Sequence, residues 1–80
     1  MKLFLISQDE NGDYDTYDSA VVAAPDEATA RNTNPGTGGQ IETWDRRLCW
    51  CSGPEKVTVR YLGEAVNVAQ GVVCASFNAG

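Results

Sequence analysis

Leu3-Phe4-Leu5-Ile6 is an unbroken apolar run that ends at Ser7-Gln8, and Asp9-Glu10-Asn11-Gly12-Asp13 follows it directly. Four apolar residues suit a buried strand and are too few for a core helix. Asn-Gly accepts the positive φ angles of a type I′ turn, the turn that fits a tight hairpin. The next segment, Tyr14 to Ala24, carries Thr16, Val21 and Val22 and is expected to pair back on the first strand. With Asn11-Gly12 as a two-residue turn, Ile6 faces Tyr17 and Phe4 faces Ser19 across the ladder.

Beyond the hairpin, Ala24-Pro25-Asp26-Glu27 reads as a helix start, with Pro25 at the first helical position, where its missing N–H costs nothing. Asp26 and Glu27 place negative charge at the positive end of the helix dipole. Asn32-Thr33-Asn34-Pro35-Gly36 stops a helix of two to three turns that offers only Ala to a core. So short a helix depends on tertiary contact for its stability. Pro35, Gly36, Gly38 and Gly39 then open a variable loop over about 35–56, in which Ile41–Cys51 is expected to hold one short strand. Val57, Val59 and Tyr61 alternate with Thr58, Arg60 and Leu62 as a half-buried strand, and Gly71 opens a last strand from Val72 to Phe77. The order strand-strand-helix-(loop or short strand)-strand-strand predicts an α+β fold: residues 1–80 as one small domain, a short helix on an antiparallel sheet.

Composition narrows the function. Leu, Ile, Val and Phe total 16 of 80 residues, enough for a small core. The net charge of -5 lies in residues 1–40, which hold seven acids and two bases. Such a chain does not condense onto nucleic acid by counterion release, so general nucleic-acid binding is not expected. The absence of His removes the commonest general base and the commonest zinc ligand. No apolar run approaches the roughly 20 residues of a membrane span. The apolar start at Leu3–Ile6 is too short for a signal peptide, so the expected location is the cytoplasm.

The segments Leu3-Phe4-Leu5-Ile6-Ser7-Gln8, Tyr14-Asp15-Thr16-Tyr17-Asp18-Ser19-Ala20-Val21-Val22-Ala23-Ala24, Val57-Thr58-Val59-Arg60-Tyr61-Leu62-Gly63 and Ala75-Ser76-Phe77-Asn78-Ala79-Gly80 together resemble a family of short uncharacterised proteins of tailed bacteriophages and prophages. Asn34 and residues 36 to 51 depart from that pattern. The resemblance implies an accessory protein made in the bacterial cytoplasm, where small folds bind host or defence machinery. The element order is also similar to that of some anti-CRISPR proteins, an analogy of fold alone.

Three constellations are candidates for function. Asp9, Glu10, Asp13, Asp15 and Asp18 fall within ten residues, without a base among them. A calcium loop needs Gly at its sixth position and Glu at its twelfth, and counting from Asp9 neither is present, so no metal is expected there. The cluster reads as a solvated hairpin tip that protects a sheet edge, or as an acidic recognition surface. Tyr14 and Tyr17, interleaved with Asp15 and Asp18, favour recognition, because Tyr gives large contact area at low entropic cost. Phe77 and Asn78 join this surface if the last strand lies beside the hairpin.

Trp44, Arg46, Arg47 and Trp50 combine stacking faces with guanidinium groups, a set able to hold a nucleotide. The plain alternative is a Trp filling a core short of large residues. Cys49, Cys51 and Cys74 are too few for a structural zinc site without His, and are expected to be reduced. Cys74, in an apolar strand, reads as a small core residue, and Cys49 and Cys51 as sharing one face of the short strand. No nucleophile has a His partner, so catalysis is not expected and no cofactor is implied. The sequence therefore points first to a non-enzymatic protein that binds a host or phage protein through Tyr14, Asp15, Tyr17, Asp18, Phe77 and Asn78. Nucleotide sequestration, a minor structural or regulatory role in the phage particle, and self-association through a strand edge are the alternatives.

Overall fold

Lys2–Ser7 (β1) and Thr16–Ala24 (β2) run antiparallel at the centre of a four-stranded sheet in the computed structural model, which describes residues 1–78. Glu27–Arg31 forms a helix (α1), and Thr58–Glu64 (β3) and Gly71–Asn78 (β4) flank the central pair. The sheet order is β3-β1-β2-β4, with every pairing antiparallel. This is the expected α+β architecture. No helix among the described residues is long and apolar enough to cross a membrane.

Burial, not the turn, sets the hairpin register. Ile6 stands opposite Ala20 and Phe4 opposite Val22, not opposite Tyr17 and Ser19 as the Asn-Gly turn predicts. The observed register puts Phe4, Ile6, Ala20, Val22 and Ala24 on one buried face. A slip of three residues would turn the β2 set to the opposite face. The strands are joined by eight residues, Gln8 to Asp15, and the positive φ in this connection belongs to Asp15 (60°).

The helix begins at Glu27, two residues later than Pro25 would place it. Asp26 is the N-cap, and its Oδ1 accepts a hydrogen bond from the Thr29 N–H at 2.8 Å. The Thr29 side chain, then its N–H, holds the Asp26 carboxyl below its ordinary pKa. Five residues make little more than one turn, and α1 contributes the buried Ala30 to the core. Arg31 ties its end to the loop before β3, donating to the Pro54 and Val57 carbonyls.

Residues 41–51 form no strand. A 3-10 turn at Arg46–Leu48 leads into Cys49, which adopts a left-handed φ of 55° and redirects the chain. Trp50 and Cys51 then enter the core beside Phe4, Ile6 and Val57. The reason is volume: β2 and α1 present mostly Ala to this face, and the Trp50 indole fills the space. Cys49 and Cys51 therefore do not share a strand face. The opposite face of the sheet, which carries Leu3, Leu5 and Val21, has no second layer among the described residues. Cys74, paired with Val21 on the outermost strand, is exposed there and is not a core residue.

Candidate protein-interaction site

Pairing of β4 with β2 gathers the hairpin residues and the end of the chain at one corner. Tyr17 stands opposite Phe77, and Thr16 opposite Asn78. The Tyr17 and Phe77 rings meet edge to face, with centroids 4.7 Å apart and planes at 64°. Tyr17 is half-buried, and a Cβ at Gly36 would stand 3.4 Å from its ring, so the Asn34–Gly39 loop closes on the same aromatic. The Tyr17 N–H donates to the Cys49 carbonyl at 2.9 Å, which fixes the start of β2 against the variable loop.

The acidic connection is held from three directions. Gln8 is 7% exposed, and its side-chain amide donates to the carbonyls of Asn11 (2.8 Å) and Tyr17 (2.9 Å) while accepting from the Asn11 N–H. The Asn78 amide donates to the Gly12 and Asp13 carbonyls, at 3.3 and 3.2 Å, and the Asp15 N–H donates to the Asn78 carbonyl. Glu10 accepts from the N–H (2.7 Å) and hydroxyl (2.9 Å) of Ser52, and lies 4.0 Å from Lys56. The Ser52 N–H, then its hydroxyl, lowers the Glu10 pKa.

Glu10 is thus a structural clamp, while Asp9, Asp13, Asp15 and Asp18 remain exposed and in no ion pair among the described residues. Asp18 is the extra residue where the β2–β4 register shifts, and its carboxylate accepts from the Ser19 hydroxyl. Tyr14 is 72% exposed. The corner therefore presents one free phenol, an aromatic pair whose Phe77 ring is partly exposed, and a carboxylate fringe. Such a surface attracts basic groups at long range and offers rigid aromatic area at contact. Gln8 is the organising residue that sequence reading missed; a lone Gln after an apolar strand carries no signal of three loop hydrogen bonds.

Trp44, Arg46, Arg47 and Trp50 are arranged differently. Trp50 is 2% exposed and faces the core, so its ring is unavailable for stacking on a ligand. Trp44 is half-buried against the same core. Arg47 pairs with Asp45 at 3.2 Å, and the Arg47 N–H, then its guanidinium, lowers the Asp45 pKa. The Arg46 side chain lies outside the described part of the structure. A cavity of about 170 Å³ between Glu10, Trp44, Trp50 and Ser52 is smaller than the usual 300–1,000 Å³ of a small-molecule site. A wider cleft of about 620 Å³ lies between residues 35–38 and 67–73, and no charged residue lines it.

The thiols are separated as well. Cys51 is buried, its thiol 3.4 Å from the Gly53 carbonyl, and burial raises its pKa. Cys49 lies half-exposed on the variable loop, and Cys74 on the open sheet face. Among the described residues no group of His, Cys, Asp or Glu is placed to hold a metal ion. Compared with protein-family models, curated proteins and solved structures, the chain matches none.

Proposed function

We propose that this chain is a non-enzymatic binding protein, an accessory protein of phage or prophage origin that occupies a surface on a host protein in the bacterial cytoplasm. The observation that carries the binding reading is the convergence of Tyr14, Asp15, Tyr17, Asp18, Phe77 and Asn78 on one corner. The origin rests on the resemblance of the strand segments to the phage family. The partner surface is basic and apolar together: Asp13, Asp15 and Asp18 steer it, and Tyr14 and Phe77 bury against it. Rigidity supports the reading, because the Gln8 and Asn78 hydrogen bonds order the loop before any partner arrives.

The test is capture from bacterial lysate by the tagged chain, with bound proteins identified by mass spectrometry. The expected result is one host protein or complex, retained at low salt and released progressively as salt screens the acidic fringe. Recovery of a bound nucleotide from the purified chain in place of a protein partner would overturn this reading.

A further inference from the structure

The two edges of the sheet are not alike. Both edge strands have register shifts against their neighbours and each holds one glycine at positive φ, Gly63 at 143° and Gly71 at 138°, but β3 carries Arg60 and Glu64, charges that discourage further pairing. β4, Gly-Val-Val-Cys-Ala-Ser-Phe-Asn, has neither charge nor proline, and residues 65–80 contain no charged side chain. Val73 is 53% exposed and Phe77 42% exposed on this strand.

The ladder shows which backbone groups are free. The Gln8 N–H donates to the Asp18 carbonyl, so Asp18 and Ala20 direct their backbone groups to β1, and Ser19 and Val21 direct theirs to β4. Their partners Ser76 and Cys74 point inward, which leaves the N–H and C=O groups of Ala75 and Phe77 facing away from the sheet. We infer that a second copy of this chain adds to β4 in antiparallel register, centred on Ala75, to make a continuous eight-stranded sheet. This inference goes beyond the host-partner reading and stands without it.

Three observations select a second copy as the occupant. A two-fold axis perpendicular to the sheet keeps each residue on its own face, so an identical strand pairs with itself. Centred on Ala75, the pairing exchanges two hydrogen bonds between the Ala75 residues and places Phe77 beside Val73 of the second copy, the residue left extra by the register shift against β2. Two chains of charge -5 meet along a seam free of like charge. Antiparallel pairing also sends their acidic corners to opposite ends, about 20 Å apart by the strand rise and beyond the roughly 8 Å Debye length. A one-strand seam is smaller than the roughly 800 Å² per partner of a stable interface, so the dimer is weak and concentration-dependent.

The test is sedimentation equilibrium of the full chain from about 10 μM to about 1 mM, the affinity range suited to so small a seam. The weight-average mass is expected to climb from 8.6 kDa toward twice that value. Ala75→Pro, which removes an outward N–H and spares the β2 ladder, keeps the chain monomeric, while Leu62→Lys on the other edge leaves dimerisation unchanged. Amide exchange on the wild-type chain supplies a readout independent of any variant: the Ala75 and Phe77 amides slow by roughly tenfold or more between dilute and concentrated samples. A wild-type mass fixed at the monomer value, or a dimer abolished by Leu62→Lys with the Ala75 and Phe77 amides still fast, overturns the inference. Either result leaves the host-capture experiment unaffected.

Discussion

Tyr17 and Phe77 join the hairpin to the last strand through an edge-to-face contact of 4.7 Å between ring centroids. The same pair closes the proposed binding corner, so stability and recognition meet in one contact. Edge-to-face pairs contribute about 0.5–1.5 kcal/mol beyond their buried area. A double-mutant cycle of Tyr17→Ala and Phe77→Ala in urea denaturation is expected to return a coupling in that range. Tyr17→Ala is the costlier single change, because Tyr17 is also packed by the Gly36 loop.

Gln8 holds the acidic loop without facing the partner. Its removal leaves the Asn11 N–H and the Asn11 and Tyr17 carbonyls without their side-chain partner. Gln8→Ala is expected to destabilise by about 1–3 kcal/mol, the cost of stranding buried polar groups. Amide exchange in residues 9–15 accelerates in this variant, and partner capture falls although no contact residue has changed.

Trp50 fills the core but its indole N–H has no hydrogen-bond partner among the described residues. Trp50→Phe therefore removes volume without breaking a bond, whereas Trp50→Ala opens a cavity costing about 3–5 kcal/mol. In a domain with 5–15 kcal/mol of total stability, the Ala variant approaches unfolding. Thermal melts followed by far-UV circular dichroism are expected to rank wild type, Trp50→Phe and Trp50→Ala in that order, with the larger gap before Ala.

Acid should loosen the variable loop through Glu10. Its carboxyl titrates below 4.5 when folded, first because the Ser52 N–H donates to it. A depressed folded-state pKa means that the contribution is fully present above the unfolded value and is lost as pH falls through the folded one. Glu10→Gln is thus expected to melt below wild type at neutral pH. The difference narrows as pH drops below 4.5, and a difference constant from neutral pH to pH 3 would contradict the Ser52 clamp.

Element order was legible because each strand carries its own local signal: the run Leu3–Ile6, the alternation from Val57 to Leu62, and the break at Gly71. The meeting of Phe77 and Asn78 with the hairpin was legible only as a condition, and the β2–β4 pairing satisfies it. The hairpin register was not legible, because the local preference of Asn11-Gly12 yields to the burial of Ala20 and Val22 beside Phe4 and Ile6. Asn11 instead bonds the Gln8 side chain three residues back and the distant Trp50 carbonyl, and the second contact is one no local pattern announces. Trp50 was ambiguous for the same reason: whether an aromatic fills a core or meets a ligand depends on the volume that distant Ala residues leave empty. Cys74 sits in an apolar strand, but an edge strand beside an uncovered face leaves it in solvent.

The most direct test of the binding corner repeats the lysate capture with Tyr14→Ala/Asp18→Ala, two exposed positions whose side chains the fold does not need. The expected variant keeps wild-type circular dichroism and melting temperature and loses the host partner by tenfold or more, about 1.4 kcal/mol or greater in binding. Undiminished capture of the same partner by this folded variant would contradict the assignment of the Tyr14–Asp18 corner as the binding site.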